Sequence, residues 1–152
     1  MTADNLQIFS TDFEDGEEIP KKCGYMHGNV EPSINVDGTD GPLGSSYALI
    51  MDDPDAMAAV GKVWVHWLEY RSPEVDGDKN VNIIKWGRGK NDFDVLGYGG
   101  PAPPDKRHTY VFTLYDLDTR LNLKNGFSRQ ELEDAMKGHI IAEAKLTGTF
   151  AP

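Results

Sequence analysis

A mainly β fold is what this sequence predicts, on three observations. Runs of strand length at residues 47–51, 63–68 and 109–117 are continuous in apolar, β-branched and aromatic side chains. The 16 glycines and 9 prolines are scattered without a period, so the chain turns often and is not collagen-like. One segment alone, near residue 130, carries a full helix signature.

In chain order, Leu6, Gln7, Ile8 and Phe9 open with a short apolar stretch, and residues 13–20 read as an acidic turn leading into an edge strand. Ser33, Ile34, Asn35 and Val36 alternate at period two and stop at Asp37-Gly38, which predicts a short strand. Residues 37–46, rich in Gly, Asp, Ser and Pro, predict a loop. The run 47–51 is apolar at every position and predicts a buried central strand. Along 63–68, strict alternation puts Trp64, His66 and Leu68 on one face, with Val63, Val65 and Trp67 on the other. His108, Tyr110 and Phe112 share a face of the third run. Ser128 and Glu131 form a capping box, Leu132, Ala135 and Met136 then fall on one helical face, and Gly138 stops the helix. Residues 140–150 alternate in their second half and predict a closing strand.

Composition narrows the function classes. The 152 residues suit one domain, 1–152, around one core, and 39% hydrophobic with 26% charged residues is a globular balance. A net charge of −10 repels phosphate backbones and anionic lipid surfaces, so neither nucleic acid nor stable membrane insertion is expected. Any lipid-like ligand must then be gripped by a local pocket. No apolar run approaches the roughly 18 residues of a membrane span, and residues 1–20 lack the basic start and apolar stretch of a signal peptide. The single cysteine, Cys23, has no partner for an internal disulfide. A cytoplasmic setting fits best.

Three segments carry polar groups where chemistry could occur. Asp52-Asp53-Pro54-Asp55 follows the central strand directly; proline cannot extend a ladder, so the strand must end with carboxylates at its mouth. Read alone, such acids more often only solvate a turn. His66 sits among large apolar groups, where a histidine is more often hydrogen-bonded within the core than a ligand contact. Residues 97–104, Gly-Tyr-Gly-Gly-Pro-Ala-Pro-Pro, are more unusual: three glycines and three prolines make a rigid loop whose backbone can approach a ligand and offer N–H groups as an anion nest. That loop runs into His108.

Taken together these segments resemble the phosphatidylethanolamine-binding protein family, in its bacterial and archaeal branch of Raf-kinase-inhibitor-like proteins. The resemblance rests on residues 48–56 (Ala-Leu-Ile-Met-Asp-Asp-Pro-Asp-Ala), 64–67 (Trp-Val-His-Trp), 91–93 (Asn-Asp-Phe), 97–104, 108–110 (His-Thr-Tyr) and 114–118 (Leu-Tyr-Asp-Leu-Asp). Asn29-Val30-Glu31-Pro32 and residues 142–150 extend it over nearly the whole chain. It implies a central antiparallel sheet packed on a smaller sheet, with one or two short peripheral helices. It also implies a pocket for phosphate, acetate, nucleotides or phospholipid head groups, with Asp53, Asp55, Trp64, His66, Ala102, Pro103, His108 and Tyr110 around it. In such a pocket His66 and His108 would donate to phosphate oxygens, Tyr110 would offer its hydroxyl, and the Ala102 region a backbone donor. Ionised Asp53 would instead accept from an imidazole and raise its charge, which favours anion binding in mildly acidic solution.

Some positions depart from the family pattern. Met57 stands where a proline is usual, Thr109 follows His108 where an arginine is common, and Arg107 precedes it. Arg107 would share a face with residue 109 if the strand reached that far back. Arg71-Ser72-Pro73, Glu31 and Ser33 alter rims. The function expected is therefore a non-catalytic binding module for a small anion that regulates a kinase or other enzyme, without a cofactor. Two alternatives stand beside it: inhibition of a serine protease or kinase through a rigid loop, and a metal-dependent or acid–base hydrolase using Asp53, Asp55, His66 and His108. Cys23, His27 and His139 lie outside the matched pocket, and a homodimer is an expectation carried by the resemblance alone.

Overall fold

A computed structural model describes residues 6–38, 46–76 and 81–152, with only the backbone described for 74–76, 81 and 82. Two antiparallel sheets form the framework. The small one pairs β1 (Gln7–Phe9) with β2 (Asn35–Asp37); the large one has the order β5-β4-β3-β6-β7. Its members are β3 (Ser46–Asp53), β4 (Trp64–Asp76), β5 (Val81–Arg88), β6 (His108–Leu117) and β7 (Ile140–Phe150). The expectation of a buried central strand at 47–51 holds: β3 sits in the middle of the sheet, and Tyr47, Ala48, Leu49, Ile50 and Met51 are all buried. Most of the loop expected at 37–46 lies outside the described residues.

Alternation along β3 builds two cores. Tyr47, Leu49 and Met51 face Ile8, Phe13, Ile19 and Cys23 from the small sheet and its following segment. Ala48 and Ile50 face the other way, toward Leu121, Phe127 and Leu132. The acidic stretch at 13–20 makes its turn, but the edge strand expected there shrinks to a single parallel bridge between Glu18 and Thr149.

Among the described residues two α-helices accompany the sheets: α1 (Ala56–Val60) and α2 (Arg129–Met136). Among the described residues no helix is long and apolar enough to cross a membrane. The capping box of α2 is present in both directions: Glu131 N–H donates to Ser128 Oγ at 3.1 Å and Ser128 N–H to Glu131 Oε1 at 3.0 Å. Leu132 and Met136 bury the apolar face, and Gly138 takes the left-handed conformation just past the end, with φ +81°. Replacing Ser128 by alanine is expected to lower stability by about 1 kcal/mol, read as a reduced urea midpoint at unchanged slope.

The path of β4 departs from the sequence expectations in two ways, and the second shapes the region around His66. β4 does not stop at residue 68; it continues through Pro73 to Asp76 against β5. Among the described residues, β4 beyond Arg71 pairs with β5. The second departure is a bulge: Met51 lies opposite Trp67, whereas Asp52 lies opposite Val65, leaving His66 as the extra residue. Strict alternation therefore fails at this point. Trp67 joins the core of Tyr47 and Met51, and Leu68 joins Val65 on the opposite face, the reverse of the expected assignment for both.

Candidate functional site

The bulge, the end of β3 and the start of β6 meet at one small cavity. Pro54 ends β3 just after Asp53, which is buried, and α1 follows within two residues. Asp53, Trp64, His66, Ala102, His108 and Tyr110, all expected at the site, line the cavity together with Ala56, Ala59, Val60, Phe93 and Pro104; its volume is about 130 Å³. Asp55 and Pro103 do not line it. Asp55 turns its carboxylate to the Thr109 N–H, 2.8 Å away, and so ties the exit of β3 to the start of β6. Met57 also stands apart, on the exposed side of α1.

His66 is held by a reciprocal pair: its Nδ1–H donates to Gly99 O at 2.6 Å, and Gly99 N–H donates to His66 O at 2.8 Å. A carbonyl at Nδ1 fixes the proton there and leaves Nε2 as an acceptor. Burial pushes the pKa of His66 down, against the raising effect of the Gly99 carbonyl and Asp53. Burial thus favours the neutral ring, whose Nε2 accepts rather than donates.

His108 is fully buried, with a carboxylate at each nitrogen. Asp53 Oδ2 lies 2.6 Å from Nδ1 and Asp105 Oδ1 lies 2.7 Å from Nε2. Burial is the largest single influence and opposes the charge, but the hydrogen bonds and charges of Asp53 and Asp105 together raise the pKa above the ordinary imidazole value. Both nitrogens then donate, as only the imidazolium can. The His108 hydrogen bond in turn holds the Asp105 carboxyl below its usual range. Asp105 is two-fifths exposed, so it caps the buried ring from the solvent side.

The rigid loop is placed by its straps. Asn29 Oδ1 accepts from Gly100 N–H at 2.7 Å, and Tyr98 Oη donates to Cys23 O at 2.7 Å. A methyl group at Gly100 would meet that same Cys23 carbonyl at 1.9 Å, so only glycine fits. The glycine amides are spent internally: Gly97 N–H donates to Gly89 O, Gly99 N–H to His66 O, and Gly100 N–H to Asn29. The expected nest of glycine N–H groups is therefore not open to an anion. Asn91 folds the preceding turn, its Oδ1 accepting from Phe93 N–H at 2.9 Å, and this sets Phe93 edge-on to both His66 and Trp64 with centroids 5.5 Å apart.

Among the described residues, Asp53 Oδ1, Trp64 Nε1 and Tyr110 Oη are buried at this cavity without a well-aligned hydrogen bond, the Tyr110 hydroxyl resting against Asp53 and the Ala102 amide. Burial and the Asp53 charge push the Tyr110 hydroxyl pKa upward, with the nearby Ala102 amide pulling the other way, so Tyr110 remains a donor. The Trp64 and Tyr110 donors thus converge beside His108, whose raised pKa favours the imidazolium. Arg107 contributes nothing here, since β6 begins only at His108 and the guanidinium pairs with Glu18 at 3.0 Å. Cys23 is buried in the core, His139 pairs with Asp118 on the surface, and the His27 ring lies 6.3 Å from Phe150.

A sequence model of the family described as phosphatidylethanolamine-binding protein matches residues 9–151. The chain belongs to that family. Curated relatives of the chain include a UPF0098 protein of Methanothermobacter thermautotrophicus, 40% identical over 91% of this chain and 93% of the relative. Another, from Chlamydia muridarum, is 36% identical over 95% of this chain and 98% of the relative. Among solved structures, one described as a phosphatidylethanolamine-binding protein (PEBP) homologue from Chlamydia trachomatis superposes with a TM-score of 0.78 at 33% identity, covering 96% of this chain and 97% of that chain. Escherichia coli YbcL, described as a member of the mammalian PEBP family, gives 0.76 at 26% identity over 96% and 98%. Membership supports a binding protein, and the mainly β architecture of two antiparallel sheets is that of these neighbours.

The structure adds Phe93, Pro104, Asp105 and the apolar side of α1 to the site. Phe93 lies within one of the family-like segments, but nothing in that segment gives it a role. Five residues of α1 are too few for a helical period to stand out.

Proposed function

We propose that this protein captures a small anion, phosphate or a phosphorylated head group, in the cavity of Asp53 and His108. The observation that carries the reading is the convergence at one cavity of the buried Trp64 Nε1, which has no acceptor among the described residues, and the buried Tyr110 hydroxyl beside the Asp53–His108 pair. Buried polar groups without partners are costly, and a ligand that satisfies them recovers that cost on binding. Trp64 and Tyr110 donate to the anion's oxygens, while Asp53 Oδ1 and His66 Nε2 accept from a protonated oxygen or an ammonium group. The cavity's outer lining of Ala59, Val60, Ala102 and Pro104 suits an organic remainder leaving the mouth.

Both His108 nitrogens are occupied, so the incoming anion replaces Asp105 on Nε2. Asp105 acts as a resident carboxylate that competes for its place. Loop-mediated inhibition of a protease draws no support from the same geometry, because Gly97, Tyr98, Gly99, Gly100, Pro101 and Pro103 are buried and strapped. Control of a kinase rests on family membership alone. A cytoplasmic setting is part of the proposal, supported by the free thiol of Cys23.

The test is a titration with phosphate and with phosphoethanolamine, followed through the imidazole NMR signals. His108 is expected to move first, with His66 following through its neighbouring ring, while His27 and His139 stay in place. Tyr110→Phe is expected to weaken binding by about tenfold, the value of one hydrogen bond to a charged group. Movement confined to His27 or His139 would put the anion elsewhere.

A further inference from the structure

The described residues leave the sheet face that carries Tyr47, Leu49 and Leu114 partly uncovered. At its β4–β5 end a groove of about 530 Å³ opens against the segment of Glu31 to Ile34, and it shares no lining residue with the His108 cavity. That volume lies within the usual range of small-ligand sites, about 300–1,000 Å³.

The strand register fixes what the groove offers. Tyr47 lies opposite Arg71, and Arg71 opposite Trp86, so the three side chains form one row across β3, β4 and β5. The Arg71 guanidinium carbon is 5.6 Å from the ring centroids of both Tyr47 and Trp86. The neighbouring row holds Glu69 and Arg88. Arg88 is neutralised there, 3.2 Å from Glu69 and 3.4 Å from Glu31. Arg71 has no such compensation: among the described residues no carboxylate pairs with it, and its Nε is buried without a hydrogen-bond acceptor. In a chain of net charge −10, a cation stacked between two rings and lacking an acid favours an anion from solution.

We propose that this groove is a second binding site, taking a small amphiphilic monocarboxylate whose head pairs with Arg71 and whose apolar body lies along Leu49, Trp67 and Leu114. The planar guanidinium presents paired N–H donors that match a carboxylate. A dianion is disfavoured because Glu31 and Glu69 border the same space. Trp86 is 58% exposed and closes over an apolar body at the rim, which accounts for a large aromatic ring left in solvent.

Decanoate is a suitable probe, with decanol as its uncharged counterpart, added to the isotope-labelled full chain already saturated with phosphate. The indole N–H of Trp86 and the Nε–H of Arg71 are expected to shift saturably with decanoate. Binding is expected to be about tenfold weaker for decanol, and about tenfold weaker for decanoate in Arg71→Met, which keeps the apolar stem and loses the fork. The comparison of the two probes on the unmodified protein stands even if that variant folds poorly. Equal affinity for decanol, silence of both groove signals, or shifts confined to His108 would overturn the proposal. So would a Trp86 signal that moves with protein concentration alone, since a second copy would then be the occupant.

Discussion

Replacing Gly100 by alanine is expected to lower stability by about 3 kcal/mol or more and to abolish phosphate binding with it. The added methyl would lie 1.9 Å from Cys23 O and 2.9 Å from Tyr25 N, both main-chain atoms that cannot rotate away. Three of the hydrogen bonds that hold the segment carrying them to the loop are Tyr25 N–H to Pro101 O at 2.9 Å, Tyr98 Oη to Cys23 O, and Gly100 N–H to Asn29 Oδ1, the last two at 2.7 Å. Moving the loop outward breaks all three together. It also removes the Gly99 carbonyl from His66 and Ala102 from the cavity wall. A urea titration would measure the loss, and a midpoint within about 1 kcal/mol of the parent would mean that the loop is far less constrained than its straps indicate.

Asp53→Asn carries the second large effect, and it separates charge from shape. The amide oxygen can still accept from His108 Nδ1, but the charge that offsets burial of the ring is gone, and the two groups are 2.6 Å apart. Burial then prevails, and the His108 pKa is expected to fall from its raised value toward or below the ordinary one. In the parent the folded-state pKa lies above the unfolded value of about 6.5. The stability from protonated His108 is therefore complete below that pH and is lost as pH rises through the raised folded value. Anion binding follows the same direction, weakening as pH climbs past that point. In the variant the decline moves to lower pH, and affinity at neutral pH drops by about tenfold or more. Imidazole NMR against pH checks both, and a His108 titration unchanged by the substitution would deprive Asp53 of its role in charging the ring.

Much of this architecture is legible in the residues. β3, β6 and α2 declare themselves because their patterns are local: apolar runs of strand length, and a capping box followed by an amphipathic turn. β5 does not, since Val81, Asn82, Ile83, Ile84, Lys85, Trp86, Gly87 and Arg88 mix both strand faces of an edge, and Pro73 masks the matching half of β4. The bulge is equally silent. Nothing in Trp64-Val65-His66-Trp67 announces that one residue will be left unpaired, because the bulge arises between β4 and β3 rather than within either.

The site divides along the same line. Asp53, His66 and His108 stand out because polar residues at strand ends beside a glycine–proline loop are conspicuous. Asp55 stands out equally, yet it serves the backbone of Thr109, and no local pattern distinguishes the two carboxylates. Asp105 is the reverse case. Three residues from His108 in sequence, it reads as one more turn acid, and its hold on Nε2 depends on how the loop folds back over the ring.

Loosening that hold is the sharpest probe of anion capture at His108. Phosphate affinity should be measured at about pH 6, where His108 is charged, for the parent and for Asp105→Ala. If the anion takes the place of a resident carboxylate, removing that carboxylate tightens binding by about tenfold. Affinity that is unchanged or weaker in the variant would contradict displacement at His108 Nε2, and with it the proposed mode of capture.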